Sequence, residues 1–218
     1  MLYLSEMDIE ISVQNIALNG VLELPSRTKS LVVFAHGSGS GRYSERNSLV
    51  ALGLQKSGIG TLLFDLLTDK EDDVYENRFD MELLTDRLIA VTKWCFEDEK
   101  TKELNIGYYG SSTGAAAALS SAAYWGTKIK ALVSRGGRPD LAMDVLDLIE
   151  APTLFIVGGN DKELVALNRQ AYQKMGCVKK IEVIPGATHL FEEYGAMEKV
   201  SDLTTQWFLK YFWGGNSR

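Results

Sequence analysis

Short apolar runs alternate with helix-length amphipathic segments along most of the chain, and no other feature restricts the possible folds as strongly. The apolar runs span residues 31–35, 61–64, 104–109, 131–134, 153–157 and 181–184. The segments that separate or follow them fit helices over 45–57, 80–97, 113–124, 140–149, 163–174 and 191–212. Strands buried on both faces read as continuous apolar runs, and right-handed crossovers place helices on both faces of a sheet. We therefore predict a doubly wound α/β fold with a mostly parallel sheet.

The first thirty residues follow a different pattern. Residues 8–13 and 16–24 alternate between apolar and polar side chains, which predicts an antiparallel β-hairpin ahead of the main sheet. Asn19-Gly20 is a typical turn sequence and predicts a turn within the second of these runs. The chain has 218 residues, 45% of them hydrophobic, which is enough to enclose one core. We expect a single domain over residues 1–218, with its core at about 31–212.

Charge and hydropathy narrow the range of partners. The formal net charge is −6, so the chain offers no electrostatic attraction to nucleic acid or to an anionic membrane. No apolar run approaches the roughly 18 residues that cross a bilayer, and residues 1–6 lack the basic and apolar segments of a secretion signal. We therefore expect a cytoplasmic protein that acts on a small soluble molecule, without a nucleic-acid or membrane partner.

One serine lies in a sequence typical of a nucleophile elbow. In Gly110-Ser111-Ser112-Thr113-Gly114 small residues flank Ser112. Such a pattern occurs easily by chance, so its interpretation depends on the neighbouring sequence. The context agrees, because a predicted strand precedes the motif and the helix-forming run 115–119 follows it. A strand–turn–helix of this kind exposes the Ser112 hydroxyl above the sheet and places the Thr113 amide at a helix N-terminus.

A serine hydroxyl needs a base to take its proton, and that base needs an acid to orient it. The chain has two histidines, of which His189 follows the last predicted strand in a loop long enough to reach back over the sheet. Asp161 leaves the end of the strand at 153–157, between nucleophile and base in chain order. We predict that Ser112, Asp161 and His189 act together, with Glu163 as the alternative acid.

The turn after the first buried strand is rich in glycine. Its sequence is His36-Gly37-Ser38-Gly39-Ser40-Gly41. At this turn the fold needs a hydrogen-bond donor for the oxyanion that develops during the reaction. We assign this role to the Ser38 amide, which acts together with the Thr113 amide. A dinucleotide site is the competing interpretation, but the third glycine of that motif falls on Arg42 or Ser44, depending on the register. No Gly-Lys-Ser/Thr phosphate loop is present either.

Two further side chains are candidates for substrate binding. Arg135 directly follows the strand at 131–134 and precedes two glycines, which suggests backbone close to a cavity. An arginine there suits a carboxylate, although a structural arginine is about equally compatible with the sequence. His36, at the end of the strand at 31–35, is the second candidate.

Five segments together resemble the dienelactone-hydrolase-like branch of the α/β-hydrolases, over residues 31–212. They are residues 34–39, 110–114, 134–139, 158–161 and 186–189. The resemblance implies an α/β-hydrolase fold, the triad Ser112, Asp161 and His189, and an oxyanion hole formed by the amides of Ser38 and Thr113. Dienelactone hydrolases proper use a cysteine nucleophile. The serine here therefore implies a general carboxylesterase activity in place of dienelactone cleavage.

These features predict hydrolysis of a small ester or related acyl bond through an acyl-enzyme, with no metal or cofactor. A thioesterase or acyltransferase with the same triad is the alternative among enzymes, and a ligand-binding relative without turnover is the alternative outside them. Only residues 135–150 separate the strand that ends at Ser134 from the one that begins near Ala151, a span too short for a cap domain. The other possible cover, residues 66–79, is acidic, and its charge run at residues 69–73 indicates a solvated loop. We therefore expect an open, shallow pocket that prefers short acyl chains.

Overall fold

The structure is a computed structural model that describes residues 4–13 and 15–213. Within these residues all strands belong to one eight-stranded sheet with the order β1-β2-β4-β3-β5-β6-β7-β8. The strands are β1 Leu4–Val13, β2 Ile16–Pro25, β3 Ser30–Ala35, β4 Gly60–Phe64, β5 Asn105–Ser111, β6 Ile129–Arg135, β7 Thr153–Gly158 and β8 Lys179–Ile184. Strands β3 to β8 are parallel, whereas β2 joins β1 and β4 in antiparallel register. The predicted apolar runs coincide with β3 to β8 to within a few residues.

Helices cover both faces of this sheet. They are α1 Glu45–Lys56, α2 Asp69–Asp72, α3 Met81–Glu97, α4 Thr113–Trp125, α5 Lys162–Lys174 and α6 Ala196–Trp213, with 3-10 helices at Tyr75–Phe79, Gly126–Lys128 and Pro139–Leu148. On one face α3, α4 and the 3-10 helix over Pro139–Leu148 enclose one apolar core, and on the other α1 and α6 enclose a second. The predicted doubly wound α/β architecture is thus confirmed. None of the described helices is both long and apolar enough to cross a bilayer.

The N-terminal hairpin is present, but its turn is not where we predicted it. Strand β2 runs unbroken through Asn19 and Gly20, and the two strands pair from Val13 opposite Ile16. Gly20 also pairs with Phe64 of β4, and a Cβ there would lie 3.3 Å from side chains of β1 and β4. Pairing on both edges holds this segment extended and overrides the local turn preference of Asn-Gly.

Two connecting segments also differ from expectation. Residues 140–149, predicted as a regular helix, form a 3-10 helix over Pro139–Leu148 with non-helical geometry at Ala142. The charge run at residues 69–73, expected to be a solvated loop, contains α2, and the 3-10 helix over Tyr75–Phe79 follows it. Thr68 and Glu71 form a capping box that begins α2, a short-range signal that the charge run concealed. No cap domain lies among the described residues between β6 and β7.

The parallel strands bring the predicted site together. Because β3 to β7 run in one direction, the turns that follow them leave the same edge of the sheet. Three of these turns contain Ser38, Ser112 and Asp161. Strand β8 also runs parallel to β7, and the loop that follows β8 contains His189.

Candidate active site

Ser112 occupies a strained turn between β5 and α4. Its φ and ψ are 51° and −121°, a backbone conformation that residues other than glycine rarely adopt. The flanking glycines permit the turn, because a Cβ on Gly110 would lie 2.5 Å from the Cα of Ala115 and one on Gly114 would clash with the carbonyl of Ala35. The predicted elbow geometry is therefore present at Ser112, with α4 beginning at the next residue.

The turn after β6 holds the Ser112 backbone on both sides. The Ser112 amide donates to the Arg135 carbonyl at 3.2 Å, and the Arg138 amide donates to the Ser112 carbonyl at 3.1 Å. Asn168 of α5, which is fully buried, donates from Nδ2 to the Gly137 carbonyl at 3.0 Å and fixes the turn from behind. These bonds stabilise a conformation at Ser112 that costs on the order of 1–3 kcal/mol on its own.

Asp161 and His189 meet although they come from different loops. His189 Nδ1 lies 3.2 Å from Asp161 Oδ2, and the side chains are 38% and 21% exposed. Asp161 is also the N-cap of α5, because its Oδ1 accepts from the Leu164 amide at 3.2 Å. With an ionised Asp161 the proton of a neutral imidazole belongs on Nδ1, which leaves the His189 Nε2 lone pair to act as a base. Glu163 lies exposed in the first turn of α5, and it is Asp161 that contacts His189.

The turn after β3 packs directly on the elbow. A Cβ on Gly37 would lie 3.0 Å from the Cβ of Ser112, so only glycine fits this approach without displacing the serine. The Ser38 amide donates to Thr113 Oγ1 at 3.0 Å. The structure therefore brings Ser38 and Thr113 together, and the Thr113 hydroxyl holds the Ser38 amide in the free protein.

His36, which we predicted to contact substrate, has both ring nitrogens in hydrogen bonds to the protein backbone. His36 Nδ1 donates to the Gly37 carbonyl at 2.9 Å, and its Nε2 accepts from the Leu66 amide at 3.0 Å. Burial lowers the pKa of His36 below its ordinary value, an effect that the hydrogen bond to Gly37 opposes. A neutral His36 thus joins the turns after β3 and β4, and both of its ring nitrogens are occupied.

Arg135 is 4% exposed and lies at the end of β6, on the face covered by α1 and α6. Its Nε lies 3.4 Å from Tyr109 Oη, its Nη2 lies 3.4 Å from Asn47 Oδ1, and its guanidinium lies 5.8 Å from the centre of the Phe191 ring. No carboxylate among residues 7–13 and 15–213 forms an ion pair with it. The guanidinium is therefore a buried positive charge that contacts a phenol, an amide and a phenyl ring, a costly arrangement unless an anion compensates it.

Several residues that shape the site escaped the sequence analysis. Asn168 stands at a position of α5 where the amphipathic pattern predicts an apolar side chain. A polar residue at such a position is the only indication of its role that the sequence offers. Asp65 accepts hydrogen bonds from the backbone and side chain of Arg42 and so closes the turn after β3. Asp65 directly follows β4, and Arg42 lies in the segment between β3 and α1.

Comparison with known proteins agrees with the fold. The sequence profile of the dienelactone hydrolase family matches residues 67–212. The chain is similar to a crystal structure of a dienelactone hydrolase from Anabaena variabilis, with 45% identity and a TM-score of 0.93 over 96% of this chain and 99% of that one. An esterase from an Arctic intertidal metagenomic library shares the fold, at 20% identity and a TM-score of 0.74 over 95% of each chain.

A longer relative carries a different name. A protein of Mycobacterium tuberculosis with the provisional name phosphoribosyl transferase is 46% identical over 211 residues, which cover 97% of this chain and 48% of that protein. The chain thus spans about half the length of the curated relatives it matches.

Proposed function

The chain belongs to the dienelactone hydrolase family, and from this premise we propose that it is a serine hydrolase that cleaves a small carboxylic ester or related acyl bond. Family membership supports hydrolase activity in general. The observation that carries the finer proposal is the Asp161–His189 pair at the sheet edge where Ser112 stands on its strained elbow. Nucleophilic catalysis by serine needs this combination of a hydroxyl, an imidazole and an orienting carboxylate.

In the first half of the reaction Ser112 Oγ attacks the acyl carbonyl carbon, and His189 Nε2 takes the hydroxyl proton. Asp161 stabilises the resulting imidazolium through its contact with Nδ1. The carbonyl oxygen becomes an oxyanion that the amides of Ser38 and Thr113 stabilise, by about 3 kcal/mol per donor. The tetrahedral intermediate then breaks the bond to the leaving group, which receives its proton from His189, and an acyl-enzyme remains.

Water completes the cycle on the same groups. His189 Nε2 takes a proton from a water molecule while the water oxygen attacks the acyl carbon. The amides of Ser38 and Thr113 stabilise the second oxyanion. Collapse of this intermediate breaks the bond to Ser112 Oγ, which regains its proton from His189. The single proton of the Ser38 amide is donated to Thr113 Oγ1 before substrate binds, so in this proposal that hydrogen bond is exchanged for one to the oxyanion.

The residue at the elbow favours a carboxylesterase within this family. Neither cysteine of the chain lies there, since Cys95 belongs to α3 and Cys177 precedes β8. Burial raises the pKa of the Cys95 thiol far above its ordinary value, which makes it a poor nucleophile. We assign no phosphoribosyl transfer to this chain, because the name of the longer relatives describes proteins of about twice its length.

A panel of short acyl esters, thioesters and lactones tests the proposal. We expect the purified protein to hydrolyse short esters without added metal or cofactor. Exclusive turnover of thioesters would identify a thioesterase, and transfer of the acyl group to an added alcohol without net hydrolysis would identify an acyltransferase. Binding without any turnover would leave a ligand-binding relative and contradict the proposal.

We also propose that Arg135 favours substrates with a free carboxylate. Its buried positive charge lacks an acidic partner among the described residues, and Phe191, two residues after His189, lies over it. Electrostatic attraction from a buried charge is screened less by solvent than attraction from a surface arginine. The substrate carboxylate is the compensating anion in this proposal.

Arg135→Ala is expected to raise KM for a carboxylate-bearing ester about tenfold, since a hydrogen bond to a charged group contributes about 1.5 kcal/mol. KM for a neutral ester of similar size should change less than twofold. Arg135→Lys, which keeps the charge and loses the planar fork, should lie between wild type and Arg135→Ala. Equal KM changes for both esters, accompanied by a lower Tm, would identify a purely structural arginine.

A further inference from the structure

A short stretch of backbone contacts both the nucleophile and the base of the predicted triad. It comprises residues 135–138, at the end of β6, and we call it the β6 turn. Its Arg135 carbonyl and its Arg138 amide bond to the Ser112 backbone at 3.2 and 3.1 Å. Because these bonds hold Ser112 in a strained conformation, the place of the serine depends on where the β6 turn lies.

The base approaches the same turn at Gly136. A Cβ on Gly136 would lie 3.5 Å from Cε1 of the His189 ring and 3.3 Å from the His189 carbonyl oxygen, so there is little room for a side chain. The φ of Gly136 is 52°, which also favours glycine at this position. His189 thus packs close to the backbone of the β6 turn. A shift of the turn would change the distance between the His189 ring and Ser112.

A buried side chain of α5 holds the β6 turn in place. Asn168 is fully buried, and its Nδ2 donates to the Gly137 carbonyl at 3.0 Å and to the Leu164 carbonyl at 2.9 Å. These two bonds use both protons of the side-chain amide. Its Oδ1 has no hydrogen-bond partner among the described residues. The part of this amide that the fold uses is therefore the donor, and one of its two bonds goes to the β6 turn.

The helix that carries Asn168 begins at the acid of the triad. Asp161 is the N-cap of α5, and its Oδ1 accepts from the Leu164 amide at 3.2 Å. Asn168 lies one turn further along and donates to the carbonyl of the same Leu164. A chain of hydrogen bonds therefore runs from the acid through α5 to the β6 turn, and from there to the Ser112 backbone.

We propose that Asn168 is a positioning residue, which sets the spacing between Ser112 and the Asp161–His189 pair by fixing the β6 turn on α5. The proposal rests on the serine hydrolase function above. The hydrogen bonds of Asn168 go to backbone carbonyls, so it acts on the triad through the backbone. Small displacements matter in such a site, because a misplacement of about 1 Å can lower a rate about 100-fold.

Asn168→Leu tests this proposal, because leucine keeps the branched shape of the side chain and removes the donor. We expect kcat for a short ester to fall about 30- to 100-fold. KM should change less than twofold, because Asn168 lies behind the β6 turn and does not contact substrate. Reaction of Ser112 with a fluorophosphonate should slow by a similar factor, since it needs the same alignment with His189. The whole protein sample should react at this one slower rate.

Gln55→Met is the matched control. Gln55 is a buried amide in the last turn of α1, and its Nε2 donates to Thr61 Oγ1 at 2.8 Å. The variant also loses a buried hydrogen bond, so we expect a lower Tm with kcat and the fluorophosphonate rate within twofold of wild type. Asn168→Ser serves if Asn168→Leu does not fold. Its hydroxyl can bond to the Leu164 carbonyl within the helix but is too short to reach Gly137, so the same loss of kcat is expected.

A wild-type kcat in Asn168→Leu would overturn the proposal, and so would an equal loss of kcat in Gln55→Met. Reaction of only a fraction of the Asn168→Leu protein, at the wild-type rate, would overturn it as well, because that pattern indicates partial unfolding. Absence of both ester turnover and fluorophosphonate reaction in the wild-type protein would instead remove the hydrolase function on which the proposal rests.

Discussion

Ser112→Ala is expected to lower kcat for ester hydrolysis by about 10⁵- to 10⁶-fold, which is the loss seen when a serine hydrolase loses its nucleophile. The fold should be retained. Alanine keeps the Cβ that Gly37 contacts, and the hydrogen bonds to Arg135 and Arg138 involve only backbone atoms of Ser112. The measurement is the steady-state rate against a short ester, with Tm and circular dichroism to show that the structure is unchanged.

Ser111→Ala is the matched control for this variant. Ser111 is the last residue of β5, is 4% exposed and has the same side chain one position earlier. We expect it to keep most of the activity. Loss of activity in Ser111→Ala with retention in Ser112→Ala would show that the elbow is assigned to the wrong residue.

His189→Ala and Asp161→Asn are each expected to lower kcat by about 10⁴-fold or more, because the members of a triad act as a unit. In Asp161→Asn the amide cannot stabilise an imidazolium and favours the wrong tautomer of His189. Asparagine is as good an N-cap as aspartate, so the bond that Asp161 Oδ1 accepts from Leu164 can be kept. The loss should therefore appear in kcat with little change in Tm.

The other histidine of the chain provides the control. His36→Ala removes the bonds to Gly37 and Leu66, so we expect a lower Tm and a moderate loss of kcat. A His36→Ala variant without turnover, beside a His189→Ala variant with near wild-type rates and an unchanged circular dichroism spectrum, would exchange the roles assigned to the two histidines.

The architecture was predictable because buried parallel strands leave a strong signal. The apolar runs of β3, β4 and β7 place apolar side chains on both faces for several positions, and a sheet covered on both sides accommodates that pattern. Asn19-Gly20 misled the prediction for the opposite reason. Its turn preference is local, whereas the pairing of β2 with both β1 and β4 is tertiary.

The site was predictable in its positions and less so in its contacts. Chain order and strand ends were sufficient to indicate Ser112, Asp161 and His189, because parallel strands deliver their following turns to one edge. The part played by His36 depends on the Leu66 amide, and that of Asn168 depends on the Gly137 carbonyl. Both partners are backbone groups, which no residue type in the sequence identifies.

The central claim is that Ser112 is an activated nucleophile, and its reaction with a fluorophosphonate tests this most directly. Only a serine whose proton is taken by a base attacks such phosphorus at a useful rate. We expect intact-mass analysis to show one adduct, peptide mapping to place it on Ser112, and Ser112→Ala and His189→Ala to abolish it. No adduct on the wild-type protein, or an adduct on Ser111, would contradict the account.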